Sequence, residues 1–275
     1  MNILRHITQV CVTLFYNANL VTGPFGKYMD LPGQDACVPG YNCMHCRYSL
    51  SGCPLGTMQR TLKDRHPYFS VELWGILIFF GFLIGRMVCG WGCPIGAMQG
   101  LLHKIPSPKI KKSTFTYKLT YLKYVMLIVF VIGVPLVLSM VNGRGISFYC
   151  EYLCPVLFLQ SRGLTALVTG NLGRLGDMFS SHRFYLSLAL VLSAVVIYRP
   201  FCRFLCPLGA FYSFFNKFAV FGMKVDADKC IGCDACIRQC KMDCQKVGDR
   251  ECIACGKCRG VCPTKAITLG NRYSK

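Results

Sequence analysis

The chain has 275 residues, and 31 Lys and Arg against 12 Asp and Glu give it a formal net charge of +19. Hydrophobic residues make up 53% of it and charged residues only 16%, which excludes a disordered protein and argues against an ordinary soluble one. The 20 cysteines are also unusual, and small secreted disulfide-rich domains lack the long apolar runs present here. Together these features indicate an α-helical membrane protein that carries thiolate-bound metal.

The positive charge does not indicate nucleic-acid binding. A [4Fe–4S] cluster with four thiolates carries about −2, so four such clusters would lower the net charge to about +11. Much of the remainder lies in one loop beside a long apolar segment: Lys104, Lys109, Lys111, Lys112 and Lys118. Cytoplasmic loops of membrane proteins are enriched in Lys and Arg. The charge therefore predicts that the protein lies in the inner membrane with this loop on the cytoplasmic side. It does not predict a nucleic-acid partner.

Three apolar segments predict transmembrane helices, at residues 68–88, 119–141 and 184–201. Each is close to the roughly 20 residues that a helix needs to cross about 30 Å of hydrocarbon. A fourth segment, residues 3–21, is interrupted by polar side chains. It predicts either a fourth span or a helix that lies on the membrane surface.

A cysteine pattern is repeated along this helical part. The strings CGWGCPIGAMQ, CEYLCPVLFLQ and CRFLCPLGAFY begin at Cys89, Cys150 and Cys202, and all read C-x3-C-P followed by an apolar stretch. A fourth string, CPLGTMQ from Cys53, matches the second half, but Ser49 stands where the first cysteine would be. Internal repeats of this kind indicate repeated structural units.

The pattern suits an iron–sulfur ligand. Proline is favoured at the first position of a helix, which places the preceding cysteine at the helix N-terminus, where free N–H groups stabilise an anion. Two cysteines from one turn cannot complete a four-thiolate site, so two turns must converge on each cluster.

The number of intervening spans predicts which turns converge. Cys89, Cys93, Cys202 and Cys206 fall on the same membrane face and predict an inner-face [4Fe–4S] cluster. The opposite face carries candidates for an outer-face cluster, of which four would be ligands: Cys43, Cys46, Cys53, Cys150 and Cys154. Cys37 lies nearby, and disulfides are an open alternative for this outer group.

Residues 223–275 form a separate α+β domain, and residues 1–222 form the helical membrane domain. The C-terminal part contains two C-x2-C-x2-C-x3-C runs, the signature of bacterial ferredoxins with two [4Fe–4S] clusters, in which the fourth cysteine of each run serves the other cluster. Cluster A is predicted on Cys230, Cys233, Cys236 and Cys262. Cluster B is predicted on Cys252, Cys255, Cys258 and Cys240.

Two further features of this domain remain open. Lys241 replaces the proline that usually follows the first run, and the additional Cys244 is either a spare thiol or a substitute ligand. The polar residues before the second run, Asp249, Arg250 and Glu251, predict a solvated turn.

The Cys89/Cys93 and Cys202/Cys206 turns, followed by a ferredoxin with two clusters, resemble the NapH-type membrane ferredoxins, a family of NapH-like and NosR-like electron-transfer proteins of anaerobic respiration. The resemblance covers nearly the whole chain. It implies four spans, a cytoplasmic ferredoxin domain and electron exchange with the quinone pool or a partner reductase. The chain departs from the family in its additional outer-face cysteines.

The leading functional hypothesis is a subunit that relays electrons through [4Fe–4S] clusters between the cytoplasmic ferredoxin domain and the membrane or its far face. It would be a non-catalytic subunit of a redox complex, with other subunits, the quinone pool or a soluble ferredoxin as partners. One alternative is a quinol dehydrogenase or quinone reductase subunit without a full transmembrane path, with quinone bound near His66 and His182. Another is a metal reductase or assembly protein.

Overall fold

A computed structural model of the chain describes residues 2–19, 37–43, 49, 52–64, 66, 68–110, 112–163 and 181–273. Helices form most of this structure. They are α1 (Asn2–Tyr16), α2 (Pro54–Leu62), α3 (Val71–Ile84), α4 (Met87–Trp91), α5 (Pro94–Leu102), α6 (Thr114–Asn142), α7 (Tyr149–Leu153), α8 (Leu157–Gly163), α9 (His182–Val196), α10 (Phe201–Leu205), α11 (Pro207–Phe215), α12 (Ala235–Gln239) and α13 (Lys257–Val261). The strands are β1 (Phe221–Val225) and β2 (Ile267–Asn271).

Helix α6 is the one element of the described residues that is both long and apolar enough to cross a membrane, with 29 residues. Its segment Met126–Gly133 is wound as a wider π-helix. This segment precedes Pro135, whose ring would clash with the carbonyl of Val131 in a regular α-helix, and local widening relieves such a clash. The prediction of an apolar helix at residues 119–141 is confirmed.

The other two strong candidates form shorter helices. Helices α3 and α9 have 14 and 15 residues, because each predicted segment contains a helix and also the turn that follows it. Helix α3 ends at Gly85, where φ is +51° and a Cβ atom would lie 2.7 Å from Asn216 Oδ1. Only glycine fits there, and the turn lets α4, which carries Cys89, begin two residues later at Met87.

The N-terminal helix α1 is polar on its inner side and apolar on its outer side. Arg5 and Gln9 are 4% and 2% exposed, and Gln9 Nε2 donates to the carbonyl of Gly90. Ile3 and Phe15, by contrast, are 76% and 71% exposed. Four of the polar residues that interrupt the apolar sequence, Arg5, Gln9, Asn17 and Asn19, therefore pack against the protein, the reverse of a helix on the surface of a soluble protein.

The C-terminal domain is built on one antiparallel pair of strands. The register of β1 and β2 runs from Phe221 opposite Asn271 to Val225 opposite Ile267. Helices α12 and α13 pack against each other. The buried core of the helical part is continuous with Met242 and Ile253 of this domain, so the two parts share an interior.

Candidate metal centres

Four cysteines from two turns line one small cavity inside the helical part, and we call them the inner set: Cys89, Cys93, Cys202 and Cys206. All four are buried, with 6% exposure or less. The two that precede proline are N-cap residues, with the proline in the first turn of α5 or α11. The N–H of Gly209 is 3.3 Å from Cys206 Sγ. The turn therefore directs a backbone donor at sulfur, as a thiolate requires.

Two buried arginines exchange hydrogen bonds between the turns of the inner set. Arg86 Nη2 donates to the carbonyl of Cys202 at 2.8 Å, and Arg199 Nη1 donates to the carbonyl of Cys89 at 2.7 Å. Arg86 and Arg199 each stand three residues before the first cysteine of their own turn, so the two halves are related by an approximate twofold symmetry.

Arg199 also bears on whether a cluster fits. It is 1% exposed, and no carboxylate among the described residues forms an ion pair with it. A buried cation needs a compensating charge. A four-thiolate cluster of charge about −2 would supply it, so the donor set and the charge at the inner set fit a [4Fe–4S] group.

A second group lines a larger cavity of about 320 Å³, and we call it the outer set: Cys43, Cys53, Cys150 and Cys154. Arg60, Lys63 and Arg183 also line this cavity. Cys53 is the N-cap of α2 and is followed by a proline, as the repeat predicts. The fifth predicted candidate, Cys46, lies outside the described residues. The nearby Cys37 contacts Thr57 instead, with 3.2 Å between Sγ and Oγ1.

Glutamine side chains join the paired turns, and the sequence analysis assigned them no role. Gln99 Oε1 accepts from the N–H of Phe201 at 3.0 Å. Gln59 Oε1 accepts from Cys150 N at 3.1 Å, and Gln160 Oε1 accepts from Cys43 N at 2.9 Å. All three are buried. Each glutamine therefore fixes the backbone of the partner turn.

The signal for these glutamines was present in the repeat. Gln59, Gln99 and Gln160 each stand six residues after the cysteine that precedes proline. Tyr212 occupies the same place in the string that begins at Cys202, and its hydroxyl donates to the carbonyl of Pro39 at 2.9 Å. A polar residue at a fixed place in an otherwise apolar helix needs a partner, and the converging turn supplies it.

The inner and outer sets are neighbours. Tyr41 lines both cavities. Gln59 accepts from the N–H of Cys150 and also donates through Nε2 to the carbonyl of Phe130, at 3.1 Å. Phe130 lies near the middle of α6. Counting spans predicts opposite membrane faces for the two sets, and in the structure Tyr41 connects their two cavities.

The ferredoxin domain gathers its cysteines in the two groups that its sequence runs predict. Set A, which consists of Cys230, Cys233, Cys236 and Cys262, lines a cavity of about 210 Å³. Set B, which consists of Cys240, Cys252, Cys255 and Cys258, lines a smaller one together with Cys244. The fourth cysteine of each run, Cys240 or Cys262, lines the cavity of the other run. Cys230 and Cys233 are exposed, and Cys244 is only 4% exposed.

Within the described residues, no three His, Cys, Asp or Glu side chains are arranged to hold a single metal ion. A four-iron cluster binds each thiolate to a different iron, so it holds four sulfurs further apart than one ion does. Four thiols around a shared cavity are the arrangement that such a cluster requires.

Buried charges attach the ferredoxin domain to the helices. Glu251, predicted in a solvated turn, is fully buried and forms ion pairs with Arg86 and Lys123, the latter at 2.5 Å. Burial alone would raise the pKa of the Glu251 carboxyl, but these two cations outweigh it and hold the pKa at about 2. Asp243 pairs with Arg203, at 2.7 Å from Nε, in the turn of the inner set. The solvated-turn prediction was wrong for Glu251.

The inner set lies directly against set B. A Cβ atom on Gly90 would be 2.1 Å from the carbonyl oxygen of Ile253, between Cys252 and Cys255. Trp91 Nε1 donates to the carbonyl of Ala254 at 3.0 Å. The turn that carries Cys89 therefore touches the loop that carries set B.

The histidines considered for quinone do not lie together with these cavities among the described residues. His182 stacks on Tyr152 and lies 3.2 Å from its carbonyl oxygen, and His66 is exposed. Arg183, next to His182, does line the outer cavity.

Comparison with known families matches a 4Fe-4S binding domain to residues 67–113, 123–161 and 184–225, and another to residues 247–268. These segments contain the three C-x3-C-P turns and the second ferredoxin run. Together with the cysteine-lined cavities, they define a ferredoxin-type electron-transfer protein with 4Fe-4S domains.

Three relatives identify the family. An uncharacterized protein of Methanocaldococcus jannaschii is 33% identical over 70% of this chain and 68% of its own length. The ferredoxin-type protein NapH of Escherichia coli is 25% identical over 80% of this chain and 75% of its own. The methylamine utilization ferredoxin-type protein MauN of Methylobacillus flagellatus is 27% identical over 62% and 52%. No solved structure matches. The chain belongs to the NapH-like 4Fe-4S ferredoxin-type proteins.

Proposed function

We propose that the chain is a membrane subunit that relays electrons, one at a time, along four [4Fe–4S] clusters held by set A, set B, the inner set and the outer set. One observation carries the proposal: the four cysteine-lined cavities adjoin in a row. Sets A and B share the lining residues Cys236 and Val247. Set B meets the inner set at Gly90 and Ile253, and the inner and outer sets share Tyr41.

The clusters, when bound, supply the one-electron chemistry, and the protein supplies their position and surroundings. The inner set excludes water, since all four of its cysteines are buried. Arg86, Arg199 and Arg203 are also buried around it. Arg86 and Arg203 are paired with Glu251 and Asp243, whereas no carboxylate among the described residues pairs with Arg199. The positive charge of Arg199 favours the more negative, reduced state, so the chain holds the inner set at a higher potential than an apolar pocket would.

The outer surface of the helices supports a position in the membrane. Large apolar side chains point outward from α1, α3, α6 and α9. Examples are Phe79, which is 60% exposed, and Met140, which is 73% exposed. Exposed apolar surface on four helices is costly in water and favourable in lipid. We therefore propose a multi-pass protein of the cytoplasmic membrane in which these helices face lipid.

The orientation follows from the basic loop. Lys112 donates to the carbonyl of Ile237, and Thr116 Oγ1 donates to Asp243 at 2.8 Å, so this loop lies at the end of the molecule that carries the ferredoxin domain. Basic loops remain on the cytoplasmic side. The ferredoxin domain is then cytoplasmic, and set A, with its exposed cysteines, is the point of exchange with a soluble partner or another subunit of a respiratory complex.

The test is to measure iron and acid-labile sulfide per chain in anaerobically purified protein. The relay requires about sixteen iron atoms per chain. Replacing Cys150 and Cys154 together by serine should remove about four of them. Cys11→Ser is the matched control, because Cys11 is exposed on α1 and lines none of the four described cavities.

Other iron contents would overturn the relay. About twelve atoms, unchanged by the Cys150 and Cys154 substitutions, would leave the outer set without a cluster and favour a quinone-linked subunit. About eight would confine clusters to the ferredoxin domain, and turnover of a soluble metal or client without quinone dependence would then favour the reductase or assembly function.

A further inference from the structure

Tyr41 stands between the two cysteine sets of the helical part. It is 3% exposed, and its ring packs edge-on against Phe201 with 5.5 Å between the ring centres. Phe201 directly precedes Cys202 of the inner set. The residue therefore lies in the interior, where no water competes for its polar groups.

The hydroxyl of Tyr41 is directed at a cysteine sulfur. Its hydroxyl is 3.1 Å from Sγ of Cys154, in the outer set. The residue also lines the cavity of the inner set, together with Cys93. Because a ligand thiolate can only accept, the hydroxyl must be the donor when the outer set holds a cluster. One residue thus donates a hydrogen bond to a ligand of the outer set and lines the cavity of the inner set.

Hydrogen bonds to the sulfurs are one of the factors that set cluster potentials. A donor stabilises the reduced, more negative state more than the oxidised state, so it raises the potential. The bond from the Tyr41 hydroxyl acts on a sulfur of the outer set, whereas the ring of Tyr41 reaches the inner set only through its contact with Phe201.

We infer that Tyr41 is the residue through which the inner and outer sets exchange electrons, and that its hydroxyl raises the potential of the outer cluster. One electron leaves the cluster of one set, which is oxidised, and reduces that of the other, with no proton transferred and no bond made or broken. The inference rests on the proposed function, because it requires a cluster in both sets.

The test is the midpoint potential of each cluster in full-length protein, measured by redox titration followed by electron paramagnetic resonance. Tyr41→Phe removes the hydroxyl and keeps the ring. It should lower the potential of the outer cluster by about 59 mV, equivalent to a tenfold change in its reduction equilibrium for one electron. The potential of the inner cluster and the iron content should not change.

Tyr149→Phe is the matched control. Tyr149 is also buried beside these thiols, at 2% exposure, but its hydroxyl bonds no sulfur among the described residues. If Tyr41→Phe reduces the iron content, difluorotyrosine at position 41 replaces it in the test. Its hydroxyl is a stronger donor, and the potential of the outer cluster should then rise.

The outcomes separate this inference from the function on which it rests. Wild-type protein with about twelve iron atoms would overturn both. About sixteen atoms, with outer potentials equal in Tyr41→Phe and Tyr149→Phe, would overturn the role of Tyr41 alone. Equal shifts of the inner and outer clusters in Tyr41→Phe would also overturn it, since a loss of packing would then be the cause.

Discussion

The helical part and the ferredoxin domain assemble their cysteine sets in different ways. In the ferredoxin domain each set takes three cysteines from one short run, and the backbone loop itself positions them. In the helical part the paired turns are about a hundred residues apart, and side chains such as Gln160, 117 residues from its partner Cys43, hold them together. The first arrangement is local and partly exposed, whereas the second depends on polar contacts within an apolar core.

The junction between the two parts combines both features. Cys252 of set B belongs to a local run, yet the residue before it, Glu251, is held by two cations of the helical part. The ferredoxin domain is therefore attached through the same loop that binds a cluster, which keeps set B against the inner set. The following predictions disrupt first this junction and then the contacts within each part.

The largest effect is expected from Glu251→Gln. The substitution preserves size but leaves Arg86 and Lys123 buried without a counter-charge. Removing one partner of a buried ion pair costs about 3–5 kcal/mol. The free energy of unfolding in detergent should fall by about this amount, and protease should cleave between the helical part and the ferredoxin domain more rapidly.

The matched control is Asp226→Asn, which breaks the exposed pair with Lys229 in the same domain. Solvent screens such a pair, so no measurable change in unfolding is expected. If Glu251→Gln and Asp226→Asn unfold alike, Glu251 does not anchor the domain.

A smaller effect is expected from Gly90→Ala. The new methyl group would collide with the carbonyl of Ile253, which belongs to the backbone and cannot rotate away. Overpacking of this kind costs about 1–3 kcal/mol, and it should separate the inner set from set B. We expect a lower unfolding temperature and slower re-oxidation of the ferredoxin clusters by the inner cluster in rapid-mixing experiments.

Gly260→Ala serves as the control, because a Cβ atom there would have no neighbour within 4 Å. Gly260 lies in the last turn of α13, in the same domain as Ile253. Equal rates in both variants would mean that the contact between Gly90 and Ile253 does not control electron transfer.

The glutamines should act selectively on one set each. Gln99→Leu leaves the N–H of Phe201 buried without its acceptor, and Gln59→Leu does the same to Cys150. An unsatisfied buried donor costs about 1–3 kcal/mol. Under chelator, Gln99→Leu should therefore lose the inner cluster first and Gln59→Leu the outer one, as followed by spectroscopy. Gln245→Leu, at an exposed position beside set A, should retain the inner and outer clusters as in wild type, and loss of the same cluster in all three variants would refute selectivity.

What the sequence predicts well is local. The apolar helix α6, the N-cap cysteines and the grouping of the ferredoxin runs follow from spacing within a few residues. Glu251 was placed wrongly because three consecutive charged residues resemble a solvated turn, and its partners Arg86 and Lys123 are 165 and 128 residues away. The lengths of α3 and α9 also escaped sequence reasoning, because apolar residues continue through the turns that end these helices.

The smallest effect is expected from Cys244→Ser, which addresses the question that the ferredoxin sequence leaves open. Cys244 is buried and lines the cavity of set B, whose ligands are predicted to be Cys252, Cys255, Cys258 and Cys240. Serine fills nearly the same space, so Cys244→Ser should keep the wild-type iron content and an unchanged cluster B spectrum. Cys240→Ser removes a ligand and should convert or lose that cluster. If Cys244→Ser loses cluster B and Cys240→Ser keeps it, Cys244 is the fourth ligand. The last ligand of the first run would then lie four residues after Cys240, which would explain why Lys241 stands where a proline usually follows the run.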